Sequence, residues 1–67
     1  MNAKTKELFE LEMVKHFATE LSIRVSKHGE DSSAVWLPFS EIEVEPQGGR
    51  RVLITIPAWL AEKKGLA

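Results

Sequence analysis

The sequence predicts a small, mostly β domain that ends in one short α-helix. Several short runs alternate apolar and polar residues with period two, and turn-forming residues separate these runs. The last part of the chain instead places Pro57 before an apolar stretch and Lys63, Lys64 and Gly65 after it, which is typical of a helix. The 67 residues leave room for a single domain, with polar residues 1–7 frayed. We therefore expect five strands, in a barrel or a curled antiparallel sheet, and a C-terminal helix.

The first apolar run, residues 9–27, fits strands better than a helix. Seven of its nine odd-numbered positions up to residue 25 are apolar, and most even-numbered positions are polar. An apolar stripe with helical spacing also exists, but a helix would bring two glutamates into it. The alternative fold is therefore α+β, with an N-terminal helix over residues 4–18 on a four-stranded sheet. The favoured strand interpretation makes residues 17–20 the bend of a hairpin.

The remaining strands follow from the turns that separate them. Residues 27–33 predict a loop and residues 34–38 a strand, which ends at a proline because proline lacks the amide donor. "PFSE" has the length of one 3₁₀ turn. In "EIEVE", Ile42 and Val44 lie on one face and the glutamates on the other. "PQGG" predicts a turn, and "RRVLITI" predicts the last strand.

The C-terminal helix is short, so it must dock on the sheet to be stable. Trp59 and Leu60 are the predicted docking residues, and Pro57 is predicted to occupy the first helical position. Gly65 is placed to adopt the left-handed conformation that ends a helix, which lets Leu66 fold back. The predicted core residues are Leu11, Met13, Leu21, Ile23, Val25, Val35, Leu37, Ile42, Val44, Val52, Ile54, Ile56 and Leu60.

Composition and charge exclude several classes of function. The chain has no cysteine, so it forms neither disulfides nor a thiolate zinc site. No apolar run reaches the length of a membrane helix, and the N-terminus does not resemble a signal peptide, so cytoplasm is the expected location and no membrane partner is expected. The net charge of −1 disfavours nucleic-acid binding, which depends on an excess of basic residues.

The candidate partner-binding residues are aromatic, acidic and basic side chains that the fold leaves outside the core. Trp36 alternates along its strand with two core residues. Its side chain therefore either lies exposed or is covered by the C-terminal helix, against Trp59. Burial is the favoured alternative, because a large ring stabilises a small domain more when it is buried. Glu41, Glu43 and Glu45 form an acidic stripe that could contact a basic partner. Arg50 and Arg51 flank the last turn.

Nucleic-acid binding is the runner-up function. It would use Trp36 with Arg24, Arg50 and Arg51, provided that these side chains share a face with an aromatic ring suited to stacking on a base. Lys15 and Lys27 would extend that surface.

Catalytic and cofactor sites are not expected. The two histidines, His16 and His28, have no spacing typical of metal ligands and are predicted to lie on the surface. Ser40 lacks the local context of a nucleophile, and no glycine-rich phosphate loop occurs. We therefore expect a non-enzymatic protein without cofactors or metals.

Two stretches resemble known proteins. "VWLPFSEIEV" loosely resembles the strand–turn–strand at the end of SH3-like barrels, although the tyrosines of SH3 ligand grooves are missing. "AVWLPFSEIEV" together with "TIPAWLAEKKGL" resembles a group of small, uncharacterised phage and prophage proteins, over residues 9–67. The resemblance implies an accessory protein that acts by binding a host or phage protein. A homodimer through an exposed edge strand is a further expectation.

Overall fold

A computed structural model describes residues 7–66 and confirms the mostly β class. The elements are β1 (Leu8–Ala18), β2 (Ser22–Ser26), β3 (Val35–Pro38), β4 (Glu43–Gly48), β5 (Arg51–Pro57) and α1 (Ala58–Lys63), with single 3₁₀ turns at Asp31–Ser33 and Phe39–Glu41. The predicted fraying of residues 1–6 lies outside the described residues. Glu7, which was included in that prediction, accepts a hydrogen bond from the Ala58 N–H at 2.9 Å.

The five strands form one antiparallel sheet in the order β3-β2-β1-β5-β4. Its edge strands, β3 and β4, are not paired with each other, so the sheet is open and does not close into a barrel. No helix of the described part of the chain is long and apolar enough to cross a membrane.

The long central strand β1 settles the choice between strand and helix for the N-terminal run. Its first part pairs with β5, from Leu8 to Val14, and its last part pairs with β2, from Val14 to Ala18. A bulge between Lys15 and Phe17 interrupts the pairing with β2. The alternative helix over residues 4–18 is therefore wrong, because neighbours on both sides supply hydrogen bonds that a helix would have to make within itself.

The turn after β1 differs from the prediction. β1 continues to Ala18, and the turn is closed by Thr19, whose Oγ1 accepts the N–H groups of Leu21 and Ser22 at 3.2 and 3.1 Å. The bend predicted at residues 17–20 is thus displaced. Leu21 falls in the turn and is 78% exposed, so its predicted place in the core is wrong.

The core lies between one face of the sheet and α1. Most predicted core residues are buried there, while Leu11, Val35 and Val44 are partly buried at its margin. The core gains Ala58, Ala61 and Leu66, which sequence reasoning did not include. Small and apolar residues of α1 therefore allow the short helix to approach the sheet closely.

The predictions for α1 are confirmed at Gly65, Leu66 and Leu60 and are wrong for Pro57 and Trp59. Gly65 has φ 75° as predicted, and the Leu66 N–H donates to the Ala61 carbonyl at 2.7 Å, so the chain folds back onto the helix. Pro57 lies before the helix rather than at its first position, with extended ψ 145°. Trp59 is 46% exposed, so Leu60 docks the helix and Trp59 does not.

The strand around the last turn also shifts. β4 begins at Glu43, and Glu41 ends the preceding 3₁₀ turn. The strand continues through a bulge between Pro46 and Gly48, so the turn is shorter than the predicted "PQGG". The backbone bends at Gly49, where φ is 58°, a conformation that glycine adopts without steric cost.

Both edge strands have few free backbone donors. The Ala58 N–H donates to the Glu7 carbonyl and the Lys15 N–H to the Arg50 carbonyl, so odd-numbered positions of β1 are hydrogen-bonded to even-numbered positions of β5. Odd-numbered residues of β5 therefore bond to β4. The backbone N–H and C=O positions of Val44 and Pro46 are then directed away from β5, toward the open edge of the sheet. Since proline has no N–H, Val44 is the one donor that these two positions offer.

The same reasoning applies to the other edge. Phe39 N–H donates to the Leu21 carbonyl at 2.8 Å, so odd-numbered residues of β3 bond to β2. The backbone positions of Trp36 and Pro38 are then directed away from β2, toward the other open edge. Of these two residues, Trp36 is the one with a backbone N–H to offer. At each edge, a proline thus occupies one of the backbone positions that are directed away from the sheet.

Candidate functional site

The sheet face opposite α1, here called the outer face, carries a group of glutamates from three strands. Cross-strand register places Glu10, Thr55 and Glu43 in one row and Glu12, Leu53 and Glu45 in the next. Directly opposed residues of antiparallel strands point to the same face. Glu10, Glu12, Glu43 and Glu45 are all exposed, and we call these four residues the acidic band.

Charge in the acidic band is largely uncompensated. Within the described residues, Glu12 is the member that forms an ion pair, with its Oε1 3.1 Å from Nη2 of Arg51. Both side chains of this pair are well exposed, so the pair contributes little to stability. The band therefore presents negative charge around the half-buried Leu53 and Thr55.

A shallow groove lies at one end of the acidic band. Its lining consists of Leu8, Ser40, Glu41, Ile42, Glu43 and Thr55. Of the predicted acidic stripe, Glu43 and Glu45 thus lie on the outer face of β4, while Glu41 reaches the groove from the 3₁₀ turn. An exposed Leu8 beside two carboxylates gives this end of the face both apolar and acidic character.

Trp36 lies exposed at the opposite end of the outer face. It is 41% exposed and directly opposite Arg24, so the favoured interpretation that α1 covers it is wrong. Its ring contacts Phe17 edge-to-face, with ring centroids 6.3 Å apart and an interplanar angle of 81°. Because Phe17 also pairs with Arg24, the three side chains form one row across β1, β2 and β3.

Arg24 is already paired within the molecule. Its Nη1 donates to Oδ1 of Asp31 at 2.6 Å and its Nη2 to the Asp31 carbonyl at 3.1 Å. The hydrogen bond and the charge of Arg24, with a smaller contribution from His16, lower the pKa of the Asp31 carboxyl below its ordinary value. Arg24 therefore fixes the loop that contains Asp31 and is not a free cation.

A buried hydrogen-bond network also holds the loop after β2, which contains Gly29 and Asp31. His16 Nε2 lies 2.8 Å from Ser26 Oγ, and the Gly29 N–H donates to that oxygen, also at 2.8 Å. The His16 side chain is only 9% exposed, so the prediction of a surface histidine is wrong for His16 and correct for His28. Alternation within β1 could not reveal this burial, because it depends on contacts of His16 with Ser26 and with Asp31 of the loop after β2.

This network contains the residue types of a catalytic triad, but its serine hydroxyl is not accessible to a substrate. His16 lies between Ser26 and Asp31, whose Oδ1 is 3.8 Å from His16 Nδ1. Ser26 is 0% exposed, so a substrate would have no route to its hydroxyl. We assign the three residues a structural role in holding the loop.

The remaining predicted residues do not form one surface with Trp36. Arg50 lies in the β4–β5 turn, with its Nε donating to the Lys15 carbonyl at 3.1 Å, and Arg51 follows at the start of β5. Trp59 lies on the solvent side of α1, which packs on the other face of the sheet. The aromatic and basic candidates are therefore separated.

Sequence reasoning missed half of the acidic band and the aromatic neighbour of Trp36. The alternation of β1 does place Glu10 and Glu12 outside, but their approach to Glu43 and Glu45 depends on β5 lying between β1 and β4. Nothing local in the sequence specifies that order. Phe17 was missed because the bulge changes the face that it occupies.

Metal sites and relatives add no further assignment. In residues 7–66, no group of three or more histidine and carboxylate side chains is placed to hold a metal ion. No protein-family model, curated protein or solved structure matches the chain.

Proposed function

We propose that this protein is a non-enzymatic binding protein whose outer face docks a protein partner with a basic surface. The observation on which the proposal rests is the convergence of Glu10, Glu12, Glu43 and Glu45 around Leu53 and Thr55.

The chemistry of the face supports a basic protein as the partner. Complementary charge speeds association and selects the partner, and apolar contacts supply affinity. Leu53 lies between Glu12 and Glu45 within one row, and Leu8 lies exposed at the end of the acidic band. A partner with lysine or arginine around a small apolar contact would match both properties.

Nucleic-acid binding, the alternative function, is less well supported. Arg24 is bound to Asp31 and Arg51 is paired with Glu12, so two of its three expected cations are partly neutralised. Trp36 lies next to Arg24 but on the far side of β1 and β2 from the β5 strand that holds Arg51. The acidic band would repel a phosphate backbone on the same face.

A binding experiment with defined probes tests the proposal. A labelled lysine- and arginine-rich peptide is titrated with the protein by fluorescence anisotropy, at low and moderate salt. An acidic peptide and single- and double-stranded oligonucleotides are titrated in parallel. We expect the basic peptide to bind, with affinity that falls as salt is added.

Matched variants locate the binding surface. Glu43→Gln with Glu45→Gln removes two charges from the acidic band, whereas Glu20→Gln with Glu62→Gln removes two exposed charges elsewhere. The first pair should weaken peptide binding and the second should not. Equal weakening by both pairs, or binding of the oligonucleotides instead of the peptide, would contradict the proposal.

The origin and assembly of the protein belong to the same proposal. Its resemblance to small phage proteins would make the partner a host or phage protein and the role an accessory one. A homodimer through an edge strand is disfavoured, because the outward registers of β3 and β4 each include a proline.

A further inference from the structure

A second groove, independent of the acidic band's apolar end, lies where β1, β5 and the loop after β2 meet. It is lined by Glu12, Met13, Val14, Lys27, His28 and Arg51. The register explains how distant residues meet here, because Val14 pairs with Arg51 on one side and with Ser26 on the other. Lys27 and His28 follow directly after Ser26.

The charge of this groove is opposite to that of the acidic band. Lys27 and Arg51 are positive and Glu12 offsets one of them, which leaves one net positive charge. Outside the groove lining, Arg50 of the β4–β5 turn precedes Arg51 and Lys15 follows Val14, and Arg50 Nε donates to the Lys15 carbonyl. Basic residues of β1, β5, the β4–β5 turn and the loop after β2 therefore lie at the same end of the sheet.

We infer that this groove binds the phosphate group of a small phosphomonoester. A guanidinium presents several donors in a planar fork that matches phosphate oxygens, and an ammonium adds a compact charge. Arg51 donates from Nη2 to Glu12, and a guanidinium has further N–H donors that can meet phosphate oxygens. Val14, half-buried in the lining, offers an apolar contact to the organic part of the ligand.

The neighbouring charges limit the ligand to a short one. Glu12 leads to the rest of the acidic band on one side of the groove. On the other side, Lys27 and His28 border a second recess that contains both Glu30 and Lys64. A polyanion that extended from the groove along the sheet would meet the carboxylates of the acidic band, whereas a single phosphate group would not.

The test uses inorganic phosphate and a mononucleotide as probes. Each is titrated into the ¹⁵N-labelled protein, and a single-stranded oligonucleotide serves as the polyanionic comparison. We expect saturable amide shifts centred on Lys27, His28 and Arg51, with millimolar affinity typical of one exposed anion site. The mononucleotide should bind at least as tightly as phosphate, and added salt should weaken both.

Lys27→Gln and Arg51→Gln are compared with Lys63→Gln, which removes an exposed charge from α1. Each groove variant should weaken phosphate binding about two- to fivefold, as expected for an exposed ion pair, and the control should not. The unchanged amide spectrum away from the groove verifies that the variants fold.

The inference is overturned by the absence of saturable shifts at millimolar phosphate, by equal weakening with Lys63→Gln, or by shifts that lie outside the groove. Tighter binding of the oligonucleotide than of the mononucleotide would also overturn it, in favour of a polyanion site. Binding of the basic peptide to the acidic band is measured separately, so neither result decides the other.

Discussion

Ser26 illustrates how a polar side chain is accommodated in so small a domain. Its hydroxyl is fully buried and contacts both the ring of His16 and the backbone of Gly29. A buried polar atom is tolerated when its hydrogen bonds are made, and the loss of one partner leaves the others unpaired. Ser26 thereby connects β1, β2 and the following loop.

Replacing Ser26 with alanine should destabilise the protein by about 1–3 kcal/mol, because the Gly29 N–H and the His16 ring lose a buried partner. Thermal or urea unfolding measures the change. Ser40→Ala, at an exposed position, is the control and should have little effect. Equal stability of Ser26→Ala and the wild type would show that the network is not needed to hold the loop.

The Arg24–Asp31 pair predicts a pH dependence. Because Arg24 lowers the pKa of folded Asp31 below the ordinary value of 3.8, the pair stabilises the fold above that pH. This stabilisation is lost as the pH falls through the lowered pKa, where Asp31 takes up a proton. Unfolding measured between neutral and strongly acidic pH should show this loss in the wild type.

Asp31→Asn is the matched variant for this dependence. It cannot take up that proton, so its stability should fall less steeply below pH 3.8 than that of the wild type. Parallel acid unfolding curves for the two proteins would contradict the assignment of the pair.

At the scale of elements, the two edge strands limit self-association. Trp36 and Val44 offer one outward N–H each, and Pro38 and Pro46 occupy the next outward positions. A second chain that paired with either edge would therefore receive a hydrogen bond from Trp36 or Val44 but none from the adjacent outward position, where proline has no N–H. Alternation and the prolines were readable from the sequence, but which prolines point outward depends on the register.

Pro46→Thr should promote association, because it adds an outward N–H next to that of Val44. The mass is measured by light scattering at high micromolar concentration, where we expect the wild type to be a monomer. Gln47→Thr is the control, since it places the same side chain in the strand without adding a donor. A dimeric wild type, or a monomeric Pro46→Thr, would contradict this role for the proline.

At the scale of the whole molecule, period-two alternation was sufficient to predict most of the core. It fails where the chain leaves the regular strand, at Leu21 in a turn and at His16 in a bulge. The strand order could not be predicted, because β1 pairs with a strand about forty residues away and no local pattern encodes that choice. The acidic band, which depends on the order, was therefore only half predicted.

Neighbouring positions in β5 should respond very differently to truncation. Ile54 is fully buried in the core, whereas Leu53 lies half-buried on the outer face. Ile54→Ala should cost about 2–5 kcal/mol, enough to unfold much of so small a domain. Leu53→Ala should cost about 1 kcal/mol or less.

Denaturant unfolding followed by tryptophan fluorescence compares the two variants. Similar losses of stability would contradict the assignment of faces in β5. A folded Leu53→Ala also provides a variant for the peptide-binding experiment, because it removes the apolar centre of the acidic band without removing charge.

The division of β1 between two partners has a consequence for the order of folding. β1, β2 and β3 are joined by short connections, and so are β4 and β5, so each group can form by local contacts. Their union requires the first part of β1 to find β5 across most of the chain, which is entropically the slowest contact to make. We therefore expect Met13 and its neighbours to pair with β5 in the transition state for folding. We expect α1 to pack on the core after that step.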